Sequence, residues 1–152
     1  MDINEAALVL TSINTALSGV DNVLPFYSNL LNDVKGQFDL IVANPPYLLD
    51  PAQRAYRHGG GLLGSGLSYA ILEAALDRLT PGGTLMLYTG VAVIGGIDHF
   101  RLKVEHKLRE SSATWHYSEL DPDVFGEELS TEAYRDTDRI AIILLTITGH
   151  SG

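Results

Sequence analysis

A chain of 152 residues with 45% hydrophobic content can enclose one sizeable core, and nothing in its composition is that of a disordered or low-complexity polypeptide. Ten Lys and Arg against nineteen Asp and Glu leave a formal charge of −9, the wrong sign for a domain that grips phosphates unaided. Cysteine is absent, which excludes disulfides and thiolate metal ligands, and no apolar run approaches a membrane span, so a soluble cytoplasmic protein without a membrane contact is expected.

In chain order, Asn4 stands where a helix N-cap belongs, Glu5 suits the first turn, and Ala6, Leu10, Ile13 and Leu17 recur at helical spacing up to Gly19. Residues 23–27 form a short strand candidate despite Pro25, and Phe38–Ala43 a stronger one, apolar on both faces and so expected inside a covered sheet. Residues 67–79 keep helical spacing through Leu67, Ile71, Ala74, Ala75 and Leu79, until Pro81-Gly82-Gly83 stops the helix; residues 84–89 are the next strand. A helix over 98–108, capped by Asp98 with Phe100, Val104 and Leu108 inward, precedes strands at 113–120 and 140–148, and 121–138 reads as an acidic loop. Strands alternating with helices predict an α/β sheet, and ligands of such sheets bind beyond the carboxyl ends of the strands.

At one such end lies Asn44-Pro45-Pro46-Tyr47. Two successive prolines cannot continue a central strand, because each lacks an N–H and fixes φ. The Asn44 amide oxygen and the Pro45 carbonyl are then two acceptors held close together by a turn that Pro46 stiffens, an arrangement suited to both hydrogens of a planar NH₂ group. Tyr47 offers a ring on which the flat group carrying that nitrogen can stack. No charged base is needed, since orientation and proximity supply most of the effect.

This stretch resembles the signature of the amino-nitrogen methyltransferases of the class I S-adenosylmethionine-dependent superfamily, most closely the release-factor glutamine methyltransferase group and its small-domain relatives. The resemblance runs through "MDINEAALVLTSINTALSGV", "YSNLLNDVKGQFDLIVANPPY" and "GGGLLGSGLSYAILEAALDRLTPGG". It implies a Rossmann-like fold and S-adenosyl-L-methionine as cofactor, with Asp2 on the ribose hydroxyls, Asn29 near the adenine, and Asn44 at the meeting point of cofactor and substrate. Implied substrates are a protein glutamine side chain or the exocyclic amine of adenine or guanine in nucleic acid. The family's Gly-rich first loop and first two strands have no counterpart in residues 1–152. The chain therefore reads as the N-terminally truncated, C-terminal portion of one methyltransferase domain, a piece expected to bind cofactor poorly and to be inactive by itself. Loss of two central strands would bare an apolar edge at Phe38–Ala43, so either rearranged pairing with residues 23–27 or a dimer or swapped oligomer is expected there.

Competing readings are a non-catalytic binding or scaffold domain that keeps the pocket, and an esterase. For the latter, His58-Gly59-Gly60-Gly61 matches an oxyanion-loop motif and Ser68 lies in Gly66-Leu67-Ser68-Tyr69-Ala70, near a nucleophile elbow. An elbow needs its own preceding strand, whereas Ser68 follows a glycine run and opens a helix as its cap. The glycines are expected to form a mobile loop beside the substrate. Asp121, Asp123, Glu127 and Glu128 read as a solvated loop, and no histidine pair has ligand spacing, so no metal is expected.

Overall fold

The computed structural model describes residues 1–109 and 111–149. The chain divides into two compact units, Met1–Gly36 and Gln37–Gly152.

In the first unit, α1 (Glu5–Leu17) begins as its sequence dictates. Asn4 Oδ1 accepts from the N–H groups of Ala6 at 3.0 Å and Ala7 at 3.4 Å, and Glu5 complements the positive end of the helix. Gly19 takes the left-handed conformation that ends it, at φ 64°. The strand expected at 23–27 does not form. Pro25 has no N–H for a ladder, and only Tyr27 pairs, in a single bridge with Asp2 supported by Asp2 N–H to Phe26 O at 3.2 Å and Ser28 N–H to Asp2 O at 3.3 Å.

The second unit runs β1 (Phe38–Ala43), α2 (Gly66–Leu76), β2 (Leu79–Ile94), β3 (Ile97–Asp98), α3 (His99–Leu108), β4 (Thr114–Asp121) and β5 (Arg139–Thr148). The sheet has the order β1-β2-β5-β4 with β3 attached to β2; β1 lies parallel to β2 and the other pairs are antiparallel. The Pro-Gly-Gly expected to separate helix from strand lies inside β2. Phe38 pairs with Leu79 but Leu40 with Thr84, so the intervening residues are accommodated as an irregularity in the ladder. Gly83 fits there because a Cβ would stand 2.7 Å from Phe38 O. At the far end Gly95 and Gly96, both at positive φ, make the two-residue turn into β3.

One face of the sheet carries the main core: Leu85, Leu87 and Val91 of β2 with Ala141, Ile143, Leu145 and Ile147 of β5, covered by Leu72 and Ala75 of α2 and Phe100, Val104 and Leu108 of α3. Each fully buried aliphatic in this layer contributes about 1.5–3 kcal/mol. The cap of α3 is the expected one, with Asp98 Oδ1 accepting from Arg101 N–H at 2.9 Å. β1 is not covered on both faces. Ile41 and Ala43 pack on the main core, but β1 ends the described sheet and leaves Leu40 56% and Val42 69% exposed. A smaller core of Leu48, Ala92, Tyr134 and Ile140 lies on the other face, since Ala92 and Ile140 pair across the ladder beside Val91 and Ala141 of the main core. The site rests on this smaller core.

Candidate active site

β1 stops at Ala43, and Asn44 emerges exposed at its carboxyl end, with Pro45 buried behind it. Among the described residues the Asn44 side-chain amide has no partner, so its oxygen is open to an incoming donor. Asn44, Pro45, Pro46 and Tyr47 are brought together in the lining of a cavity of about 390 Å³, completed by Leu48, Tyr56, Arg57, Phe125, Glu127 and Glu128.

The walls are held by backbone as much as by side chains. Leu48 N–H donates to Arg57 O at 3.0 Å and Leu48 O accepts from Gly59 N–H at 2.8 Å, folding the segment after the motif back beside it. A Cβ on Gly59 would stand 2.6 Å from Pro46 O and 2.8 Å from Tyr47 Cα, and one on Gly64 would stand 2.2 Å from Tyr47 O. The glycine run is therefore a seated buttress of the turn, not the loose loop expected of it. Its carbonyls also cap α2, as Gly66 N–H donates to Gly60 O at 3.0 Å and Leu67 N–H to Gly59 O at 2.8 Å. That leaves Ser68 without a capping role. It lies inside α2, fully buried, with its hydroxyl 2.7 Å from that of Thr89.

The far wall comes from the acidic loop. Tyr134, buried in the smaller core, accepts from Leu49 N–H through its hydroxyl at 2.8 Å; burial pushes its phenol up. Arg57 is paired with Glu128 of the same loop. Asp50, buried, accepts from Arg54 Nε at 2.8 Å and Nη2 at 2.6 Å, and this charge-assisted pair holds its carboxyl well below the usual range. Asp50 N–H in turn donates to His58 Nδ1 at 3.1 Å.

Tyr47 and Phe125 meet at 6.1 Å between ring centroids with planes 55° apart, and Phe125 holds a left-handed backbone at φ 56°. Burial, with a smaller contribution from Tyr88, pushes the Tyr47 phenol up, so it stays protonated at neutral pH. Leu48, Tyr56, Arg57, Phe125, Tyr134 and Gly90, the last lying against the Tyr47 ring, are site residues that sequence reasoning missed. The available signals were faint: two aromatics in an acidic loop, and a glycine within a strand.

Asp2 and Asn29 belong to the first unit and are exposed. Asp2 Oδ1 accepts from Asn4 N–H at 2.8 Å, and the remaining acceptor capacity of the carboxylate suits ribose hydroxyl donors. Asn29 N–H donates to Asp33 Oδ2 at 3.3 Å.

Comparison with known proteins bears on the family and the fold. The methyltransferase small domain family matches residues 1–92. A release factor glutamine methyltransferase of Borreliella burgdorferi is 29% identical over 113 residues, covering 67% of this chain and 40% of that protein. The ribosomal RNA small subunit methyltransferase C of Citrobacter koseri is 29% identical over 86 residues, 57% of this chain and 22% of that protein. The chain thus spans two fifths or less of these relatives. The crystal structure of the M. jannaschii tRNA m1G37 methyltransferase superposes with a TM-score of 0.59 at 16% identity, over 99% of this chain and 36% of that one. The fold is therefore the Rossmann-like class I methyltransferase fold, and the chain belongs to the methyltransferase small domain family.

Proposed function

We propose that this chain carries the substrate end of an S-adenosylmethionine-dependent methyltransferase that methylates a planar amino nitrogen, with the side-chain amide of a protein glutamine as the favoured substrate. The carrying observation is the Asn44 amide, unpartnered among the described residues, beside the Pro-Pro turn in the lining of a cavity that Tyr47 and Phe125 share. Asn44 Oδ1 and the Pro45 carbonyl accept the two hydrogens of the NH₂ group, which turns its lone pair out of conjugation with the neighbouring group. Tyr47 takes the flat face of the amide, and Pro45 and Pro46 keep the turn from relaxing. S-adenosylmethionine, when bound, supplies the methyl group. Methyl transfer to the lone pair would leave the carbon–sulfur electron pair with the cofactor, and the proton shed by the nitrogen would pass to solvent water. Asp2 would hold the ribose hydroxyls, Asn29 the adenine edge, and Asn44 would also face the cofactor.

Glu127 and Glu128 on the cavity rim and the net charge of −9 favour a polypeptide over a phosphate backbone. The second reading is the exocyclic amine of a nucleobase, supported by the aromatic lining from Tyr47, Tyr56 and Phe125. The rival from outside catalysis is a scaffold that keeps the cavity without transferring a methyl group. Incubation of the protein that carries this chain with S-adenosylmethionine and either a glutamine-containing peptide or an unstructured RNA, read by mass spectrometry, separates the three. A methylated amide supports the favoured reading, a methylated base the second, and no transfer despite measured cofactor binding the scaffold.

The bare edge of β1 extends the proposal to assembly, since exposed Leu40 and Val42 beside unpaired backbone make a template for another strand. A dimer or swapped oligomer of residues 1–152 is expected in sedimentation, and a monomer at every concentration would contradict it.

A further inference from the structure

We propose that Gly90 is a positioning residue of this site: its missing side chain is the seat on which the Tyr47 ring lies, and the seat sets the face that the ring offers to the substrate. The inference rests on the reading of Tyr47 as the stacking surface.

A Cβ on Gly90 would stand 2.4 Å from Tyr47 Cδ2, 2.7 Å from Cε2 and 3.3 Å from Cγ. Ring and strand backbone are therefore in direct contact, with no room for a methyl group. Backbone conformation does not call for the glycine, because Gly90 is not among the residues at positive φ. Within a strand a glycine is otherwise a loss, with more freedom to surrender and no side chain to pack. What requires it is the ring. Alternation along β2 puts Met86, Tyr88, Gly90 and Ala92 on the same face, and the step from large to small side chains falls where Tyr47 arrives.

The seat is itself rigid. Gly90 pairs with Ile142 of β5, and the preceding Thr89 is fully buried with its hydroxyl bonded to Ser68 of α2. Phe125 borders the ring elsewhere at 6.1 Å. The ring thus takes its height from the sheet, and a displacement there is transmitted to the group stacked on it.

Gly90→Ala, Tyr47→Ala and the double variant, made in the protein that carries this chain, test the seat through melting temperature, single-turnover methyl transfer and cofactor affinity. Gly90→Ala is expected to lower the transfer rate about 10- to 100-fold, as a misplacement near 1 Å does, and to lower Tm, with cofactor affinity unchanged. In the Tyr47→Ala background, where the obstructing ring is gone, the same substitution should leave Tm unchanged and the rate within about twofold. Equal Tm losses in both backgrounds would overturn the seat. Coupled Tm losses with an unchanged transfer rate would overturn the positioning role. A parent that binds cofactor but methylates neither amide nor base would overturn the proposed function, and the Tm coupling would still decide whether the ring sits on Gly90.

Discussion

In the proposed mechanism Tyr47 works through its ring, so its two substitutions should separate. Tyr47→Phe keeps the stacking face and the contact with Gly90 and is expected to retain most of the transfer rate, whereas Tyr47→Ala should lose about tenfold or more. Because burial raises the phenol above its ordinary range, Tyr47 contributes no titration between pH 7 and 9, and the ratio of wild-type to Tyr47→Phe rates should stay flat across that window. A ratio that rises with pH would mean that the phenolate takes part. That Asn44 to Tyr47 come together was legible in the sequence because the four are adjacent, and a Pro-Pro turn has few ways to fold. Gly90, Phe125 and Tyr134 were not, because each reaches the site from a separate element, 43, 78 and 87 positions beyond Tyr47 in the chain.

The segment between β1 and α2 is held by a few strong contacts. Tyr134→Phe removes the acceptor of Leu49 N–H while keeping the ring in the smaller core, and an unsatisfied, part-buried donor should cost about 1–3 kcal/mol, measured by denaturant unfolding. A loss below a few tenths would show that Leu49 finds water instead. Asp50 makes an acid-side prediction. Its pairing with Arg54 depresses the folded-state carboxyl below the unfolded value of about 3.9, so the stability it contributes is present above that pH and lost as pH falls toward the folded value. Asp50→Asn should therefore flatten the pH dependence of unfolding below about pH 4, by up to about one proton. An unchanged slope would contradict the pairing. At this scale α1, α3 and β5 were readable from cap and period. The middle of β2 was read at 84–89 but its extent was not: Pro-Gly-Gly is ordinarily punctuation, yet here Leu79 before it and Thr84–Leu87 after it both pair with β1. Residues 23–27 failed for the opposite reason, since an apolar run with a proline at its centre had no ladder to join.

For the whole molecule, the α/β class followed from alternation of elements, and the family from the motif in its strand context. What the sequence concealed was distribution of burial: an apolar strand such as β1 reads as interior, but interior is set by what lies beside it, and Leu40 and Val42 face outward. The acidic loop was similarly underread, because charged residues along it say nothing of Tyr134, which with Val124, Leu129 and Ala133 seats it on the smaller core. The most direct test of the proposed chemistry is single-turnover methyl transfer by wild-type and Asn44→Ala protein at saturating cofactor and substrate, with cofactor affinity measured separately. Loss of an oriented acceptor where geometry is the catalyst should remove about 2–4 kcal/mol and slow transfer by roughly 30- to 1000-fold, with Asn44→Asp retaining intermediate activity because it keeps an acceptor in place. An Asn44→Ala protein that transfers at the wild-type rate would contradict the mechanism and reduce the Pro-Pro turn to the end of a strand.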